Sequence, residues 1–272
     1  MVIITVWKDP FKNLKGTANY LILNLAVCDL LVGIPGELLF VLLHWFPHKS
    51  ITRAAYTTLY LGFYASFLTI LGLAVERLII ISSPLKSVDY LTSTYLALGI
   101  FCIWLFGGLL AFFPMLGWDS FHSYRMFVCD AVVFPTIILL IACYARIFFL
   151  VRKGLYRDLT TAAGGEEGLS LTEGGQERER LKRKERSVAF SVFVLVGVFV
   201  VCWTPSIVLE NITEFFGSSY IPERCQSILQ ALTFLHPLLN PIAYSLRTVK
   251  FRRALRKIFC NCNRDYPRRV VF

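Results

Sequence analysis

Charged residues are scarce in this sequence, 17 % of its 272 positions, and they are nearly absent from its long apolar stretches. Ala54 to Val75, Tyr90 to Trp118 and Ser187 to Leu209 hold no Asp, Glu, Lys or Arg at all. A surface helix of a water-soluble domain needs a charged face, so these stretches exclude that class. Catalytic signatures are missing too. There is no HExxH pair, no phosphate-binding glycine loop and no nucleophile elbow, and the four His are scattered, so nothing points to an enzyme, a metal centre or a bound organic cofactor. No internal repeat is present, which weighs against a transporter built from duplicated halves, and no separate cleavable signal peptide is recognisable.

What the sequence has is hydrophobicity: 56 % of its residues are apolar and 15 % of the whole chain is aromatic, with the apolar residues gathered into runs. Crossing a hydrocarbon layer takes roughly 20 helical residues. Six runs reach that length: Tyr20 to Trp45, Ala54 to Val75, Tyr90 to Trp118, Ala131 to Val151, Ser187 to Leu209 and Cys225 to Leu246. Backbone groups in lipid must be bonded within their own segment, and the runs are too long and evenly apolar for barrel strands, which predicts an all-α membrane protein.

The net charge of +10 suggests nucleic acid until its placement is read. If the runs alternate across the membrane, 24 of the 28 Lys and Arg fall on one side: Lys8 to Lys15, Arg77 and Lys86, Arg146 to Arg186, and Arg247 to Arg269. That side is cytoplasmic by the positive-inside rule, the carboxyl end lies inside with it, and no nucleic-acid partner is needed. The apolar start, MVIITVW, reads as the last turns of a truncated first span, or as an apolar tail. Residues 1–248 then form the bundle and 249–272 a surface helix and short tail. Thr160 to Gln176, rich in Gly and small polar residues, predicts a disordered cytoplasmic loop over about 154–180.

Of the eight Cys, only Cys129 and Cys225 face outward, where they either pair or stand as two free thiols. After the last run, KFRRALRKIFCNC places Phe251, Leu255, Ile258 and Phe259 on one face and Arg252, Arg253, Arg256 and Lys257 off it. This is an amphipathic helix for the inner leaflet's lipids, and Cys260 and Cys262 are candidate palmitoylation sites or ordinary thiols.

Ionisable groups inside a bilayer are costly, so each needs a reason. Asp29 sits mid-span, with Ser66 and Asn240 the polar groups at similar depth; it is either protonated and hydrogen-bonded or paired with a cation. Glu76 and Arg77 close the second complete run on the cytoplasmic side and Glu185 opens the fifth, so Arg77 either snorkels or clamps Glu76 and Glu185 across two helices. Pro205 and Pro241 remove backbone hydrogen bonds inside helices and supply hinges, with Trp203 beside the first.

This set resembles the rhodopsin-like (class A) G-protein-coupled receptors over nearly the whole chain. The marks are NLAVCDLL with Asp29, VERL at Val75 to Leu78, Trp104, FVVCWTP at Phe199 to Pro205 and NPIAY at Asn240 to Tyr244, with Phe251 seven residues after Tyr244. The resemblance implies a seven-helix bundle with an eighth amphipathic helix, at the plasma membrane. It implies a sodium pocket of Asp29, Ser66, Trp203 and Asn240, an inner lock of Glu76, Arg77 and Glu185, and a Tyr244 that swings inward. An extracellular ligand and a heterotrimeric G protein are the implied partners, with no organic cofactor and an allosteric sodium ion. The sequence departs from the family at Thr52, where a disulfide cysteine is usual, at His236 and Pro237, which replace small polar residues, and in the nine-residue spacing of Pro135 and Tyr144.

For the ligand, Leu59 stands where amine receptors place an Asp and Phe234 where opsins hold the retinal lysine, which argues against both ligand classes. CDLLVGIP, PMLGW and YARIFFLVRK look like adenosine receptors and their melanocortin, lipid and cannabinoid relatives. Glu37, Leu59, Phe63, Trp203, Glu210 and Phe234 are the candidate ligand pocket, and an adenosine-like small molecule is the candidate ligand. A channel or transporter using Asp29 and Glu37, and a nonsignalling receptor fragment, are the rival readings.

Overall fold

The computed structural model describes residues 2–9, 16–46, 48–83, 92–112, 132–163, 193–194, 196–209, 211–213, 216, 222–247 and 249–260. All regular structure among them is helical. In chain order the helices are α1 (Val2–Lys8), α2 (Thr17–Leu31), a π-helical turn (Val32–Gly36), α3 (Glu37–Trp45), α4 (Lys49–Ser82), α5 (Ser93–Phe112), α6 (Phe134–Ala163), α7 (Val196–Thr213), α8 (Glu223–Arg247) and α9 (Val249–Cys260). Four stretches have the length and apolarity to cross a membrane: Thr17–Leu43, Lys49–Ser82, Ser93–Phe112 and Val196–Thr213. The apolar part of α6, Phe134–Leu150, is shorter, and α8 intersperses Gln226, His236 and Asn240 among its apolar residues.

Large apolar side chains point outward along these helices. Phe101, Phe106, Phe148 and Phe149 are each about 60 % exposed, which is tolerable where the solvent is hydrocarbon and costly in water. The interior is thinner and is organised by α4, which packs on α2, α3, α5 and α6. At about 1.5 Å per residue its 34 residues run about 51 Å. His48 caps it, its ring nitrogen accepting from the Ser50 amide at 3.3 Å.

Close approach of α4 to α2 depends on Gly62. A methyl group there would stand 2.5 Å from Val32 Cγ2 and 3.3 Å from the Cys28 carbonyl oxygen. Val32 is β-branched and stiff, so no easy rotation makes room.

The second span passes Pro35, which has no N–H to give, in a wide π turn at Val32–Gly36. One expectation needs correction. The segment assigned to the flexible loop from about 154 is helical as far as Ala163. Leu155, Arg157, Leu159 and the alanines are good helix formers, and the first glycine pair comes only at Gly164 and Gly165. The remainder of that loop lies outside the described residues.

At the start of the chain α1 buries Val2 and Thr5 against its neighbours, α2 and α9. It stops at Asp9, whose positive φ of 23° turns the chain while its amide still bonds the Thr5 carbonyl at 3.1 Å. On α9, Phe251 and Ala254 are buried and Arg253, Arg256 and Lys257 exposed, the apolar stripe and basic face that the sequence pattern anticipates.

Candidate functional site

The buried face of α4 carries three kinds of chemistry in succession. Leu59, Phe63, Ser66, Ile70, Leu73 and Glu76 recur at intervals of three and four and are all buried, as one face of a 3.6-residue helix requires. Over about 25 Å they pass from an aromatic layer through a polar layer to an ion pair.

In the aromatic layer Val32, Leu59 and Phe63 form one cluster with Phe40, Trp203 and Phe234 against it. Trp203 is held edge-on by Phe63 and Phe67, with centroids 4.8 and 4.6 Å away. Phe40 lies 5.4 Å from Phe234, so α3, α4, α7 and α8 all contribute. Aromatic pairs at such spacings add stabilisation beyond their area.

Leu59, Phe63, Trp203 and Phe234 of the candidate ligand pocket are therefore brought together, and Glu37 is not. It lines a separate cleft of about 250 Å³ with Asp29, Ile34, Pro237 and Leu238. The π turn explains the correction: a wide turn delays every later residue relative to a straight helix and rotates Glu37 away from where a uniform period puts it. Glu210 lies outside the described residues.

In the polar layer the Asn240 side-chain amide donates to both carboxylate oxygens of Asp29, at 2.9 and 3.0 Å, joining α8 to α2. Ser66 of α4 is buried as well. A second knot lies alongside. Asn24 donates to Thr69 at 2.7 Å and accepts from the Trp104 indole N–H at 2.8 Å, tying α2 to α4 and α5, while Thr69 donates to the Ala65 carbonyl at 2.6 Å. Sequence reasoning passed over Asn24 and Thr69; the signal was a neutral polar side chain inside an apolar run, which lipid does not tolerate unsatisfied. It also passed over Ser206, whose hydroxyl lies 2.8 Å from that of Thr233 and 3.1 Å from the Leu229 carbonyl, joining α7 to α8 just beyond Pro205.

A sodium ion beside Asp29 does not fit these residues. Asn240 turns its N–H hydrogens, not its oxygen, to the carboxylate, so the positive ends of a dipole already stand there. Hard cations want several converging oxygens, and beyond Asp29 the candidates among the described residues are the Ser66 hydroxyl and an amide oxygen that is not turned to the carboxylate.

At the inner end Arg77 Nε lies 3.1 Å from Glu76 Oε2, close enough for an ion pair although off line for a hydrogen bond. The other carboxylate oxygen of Glu76 accepts from Thr17 at 2.5 Å, which ties α4 to the first turn of α2. Glu185 lies outside the described residues, as do the side chains of Tyr244 and Pro241, though the backbone of both sits within α8. The helices run through Pro205 and Pro241. Cys225 stands exposed in the first turn of α8; Cys129 and Cys262 lie outside the described residues, and Cys260 ends α9 with its side chain undescribed.

A buried helix face joining an aromatic cluster to an intramembrane Asp–Asn contact and an Arg–Glu pair matches the motif set read from the sequence. The sequence model described as 7 transmembrane receptor (rhodopsin family) matches residues 1–244. Among curated proteins the chain is 23 % identical to the rabbit (Oryctolagus cuniculus) alpha-1A adrenergic receptor, covering 91 % of this chain and 61 % of that receptor. It is 24 % identical to the GQ-coupled rhodopsin of Mizuhopecten yessoensis, covering 92 % of this chain and 55 % of that one. With the human (Homo sapiens) adenosine receptor A2a it shares 25 % identity over 95 % of this chain and 67 % of the receptor. The chain thus spans about three fifths of the length of such relatives. It is a multi-pass helical membrane protein, of a receptor and not an enzyme lineage, and it belongs to the rhodopsin family of 7 transmembrane receptors.

Proposed function

We infer that the chain is the transducing bundle of a G-protein-coupled receptor at the plasma membrane, with its carboxyl end in the cytoplasm. The observation that carries this reading is the unbroken buried face of α4, which runs from the aromatic cluster at Leu59 and Phe63 to Glu76. An agonist seated against Trp203 and Phe234 differentiates two states of the bundle. In the closed state Arg77 is held by Glu76 and the Asp29–Asn240 contact holds α8 to α2. In the open state the inner end of α7 tilts away, Tyr244 turns inward and a heterotrimeric G protein occupies the cleft. A ligand drives this only by binding the open state more tightly, and the G protein reads the shift in population. No step passes through a sodium ion.

An adenosine-like small molecule is the ligand class to try first. It rests on the resembling motifs and on the 25 % identity to the adenosine receptor A2a over nearly the whole chain. The aromatic, largely uncharged cluster suits a flat heterocycle rather than an ammonium, since Leu59 offers no carboxylate.

Nucleotide exchange on purified heterotrimeric G proteins, driven by the full chain in nanodiscs, tests the reading. The expected result is faster exchange on addition of a nucleoside agonist. Silence to nucleosides with a response to another ligand removes the adenosine-like part alone. No coupling to any G protein, together with ion current or uptake in liposomes, replaces the receptor with a channel or transporter.

A further inference from the structure

His236 stands one helical turn before Asn240 on α8. Its ring is 1 % exposed, yet neither Nδ1 nor Nε2 has a hydrogen-bond partner among the described residues, and it meets the ring of Phe199 of α7, nearly perpendicular at 5.4 Å between centroids. On the same buried face Asn240 gives its N–H groups to Asp29 and leaves its Oδ1 buried and unpartnered. On α7, Trp203 Nε1 and Thr204 Oγ1 are buried without partners as well.

Buried polar atoms are nearly always satisfied, by the protein or by ordered water. The four groups left over are mixed in kind. A neutral imidazole offers one donor and one acceptor, an indole only a donor, a hydroxyl both, and an amide oxygen only acceptance. Water, which both gives and takes hydrogens, can satisfy such a set; a hard cation needs oxygen lone pairs alone and would face N–H hydrogens. The next residue, Pro237, brings no side-chain oxygen.

We propose that His236, one turn before the Asn240 that gives its N–H groups to Asp29, makes this pocket unsuited to sodium, so that the Asp29 pocket works without a bound cation. The ring occupies the level of α8 where the family pattern has small polar side chains, and it substitutes a nitrogen donor and acceptor for oxygen ligands. The stability of the closed bundle then depends on hydrogen bonds of the chain, and not on the sodium content of the medium.

The test compares the thermal unfolding midpoint of the full chain in nanodiscs in sodium chloride and in choline chloride, at equal ionic strength of about 0.15 M. The wild type is expected to unfold at the same temperature in both. His236→Asn restores an amide oxygen and a small side chain, and is expected to gain a saturable, sodium-specific rise of about 2–4 °C. Adding Asp29→Asn to that variant is expected to abolish the rise. If H236N does not fold, His236→Gln supplies an amide oxygen with closer to the original volume. A saturable sodium-specific rise in the wild type that Asp29→Asn removes would overturn the proposal. So would folded H236N or H236Q protein as indifferent to sodium as the wild type. The measurement uses neither agonist nor G protein, so its failure is distinguishable from failure of the receptor reading.

Discussion

Thr17 and Glu76 show how much rests on single side chains in this molecule. Glu76 is buried at the inner end of α4, with one carboxylate oxygen taken by the Thr17 hydroxyl and the other facing Arg77. Removing the hydroxyl in Thr17→Val leaves a buried carboxylate short of a donor and loosens α2 from α4 where the closed state is held. If that state is what the contact stabilises, basal nucleotide exchange is expected to rise about fivefold or more without ligand. An unchanged basal rate in a folded variant would mean that the contact only packs two helices. Asn24 offers a separate test of stability. Asn24→Ala strands the Trp104 indole N–H and removes a donor from Thr69, and is expected to lower unfolding stability by about 1–2 kcal/mol. Asp29, Trp203 and Asn240 were legible as residues of interest because polarity or a motif marked them. Asn24 and Thr69 were less so, since a neutral polar residue in an apolar run gains its meaning only from what lies across the helix interface.

At the scale of the element, α4 is the central strut, and one glycine on it and one on α5 separate packing from propensity. Gly62→Ala forces a methyl into Val32 and the Cys28 carbonyl, and overpacking of this kind is expected to cost about 1–3 kcal/mol. Gly108 on α5 has nothing within 4 Å of an added methyl, so Gly108→Ala is expected to be neutral or stabilising by up to about 1 kcal/mol. Thermal unfolding of both variants in the same detergent checks the contrast; equal losses would mean that α4 does not sit on α2 as described. Helix existence was readable here from apolar run length. Helix shape was not. Pro35 announces a disturbance, but whether the chain answers with a kink, a break or a π turn depends on what packs around it, and that choice sent Glu37 to the cleft beside Pro237 instead of the aromatic cluster. The end of α6 was misplaced for the opposite reason, because the sequence from Gly154 to Ala163 carries no apolar run to mark the helix's length.

In the whole molecule one continuous buried face runs between two ends of a bundle whose outside is committed to lipid, and on the proposed function it couples them. Class and architecture followed from charge placement and motif order, since both are set by the bilayer and by a few polar side chains that the bilayer makes expensive. Ligand identity did not, because a pocket of aromatic and aliphatic side chains recognises shape, and shape depends on angles that the sequence does not state. The most direct measurement is the distance between spin labels at Ser82, the inner end of α4, and Phe193, just before α7, in the full chain in nanodiscs. Nucleotide-free G protein is expected to shift the distribution to longer distances, and excess nucleotide to return it. A distribution that ignores the G protein, in protein shown to be folded and to bind it, would contradict the claim that the bundle opens at this end.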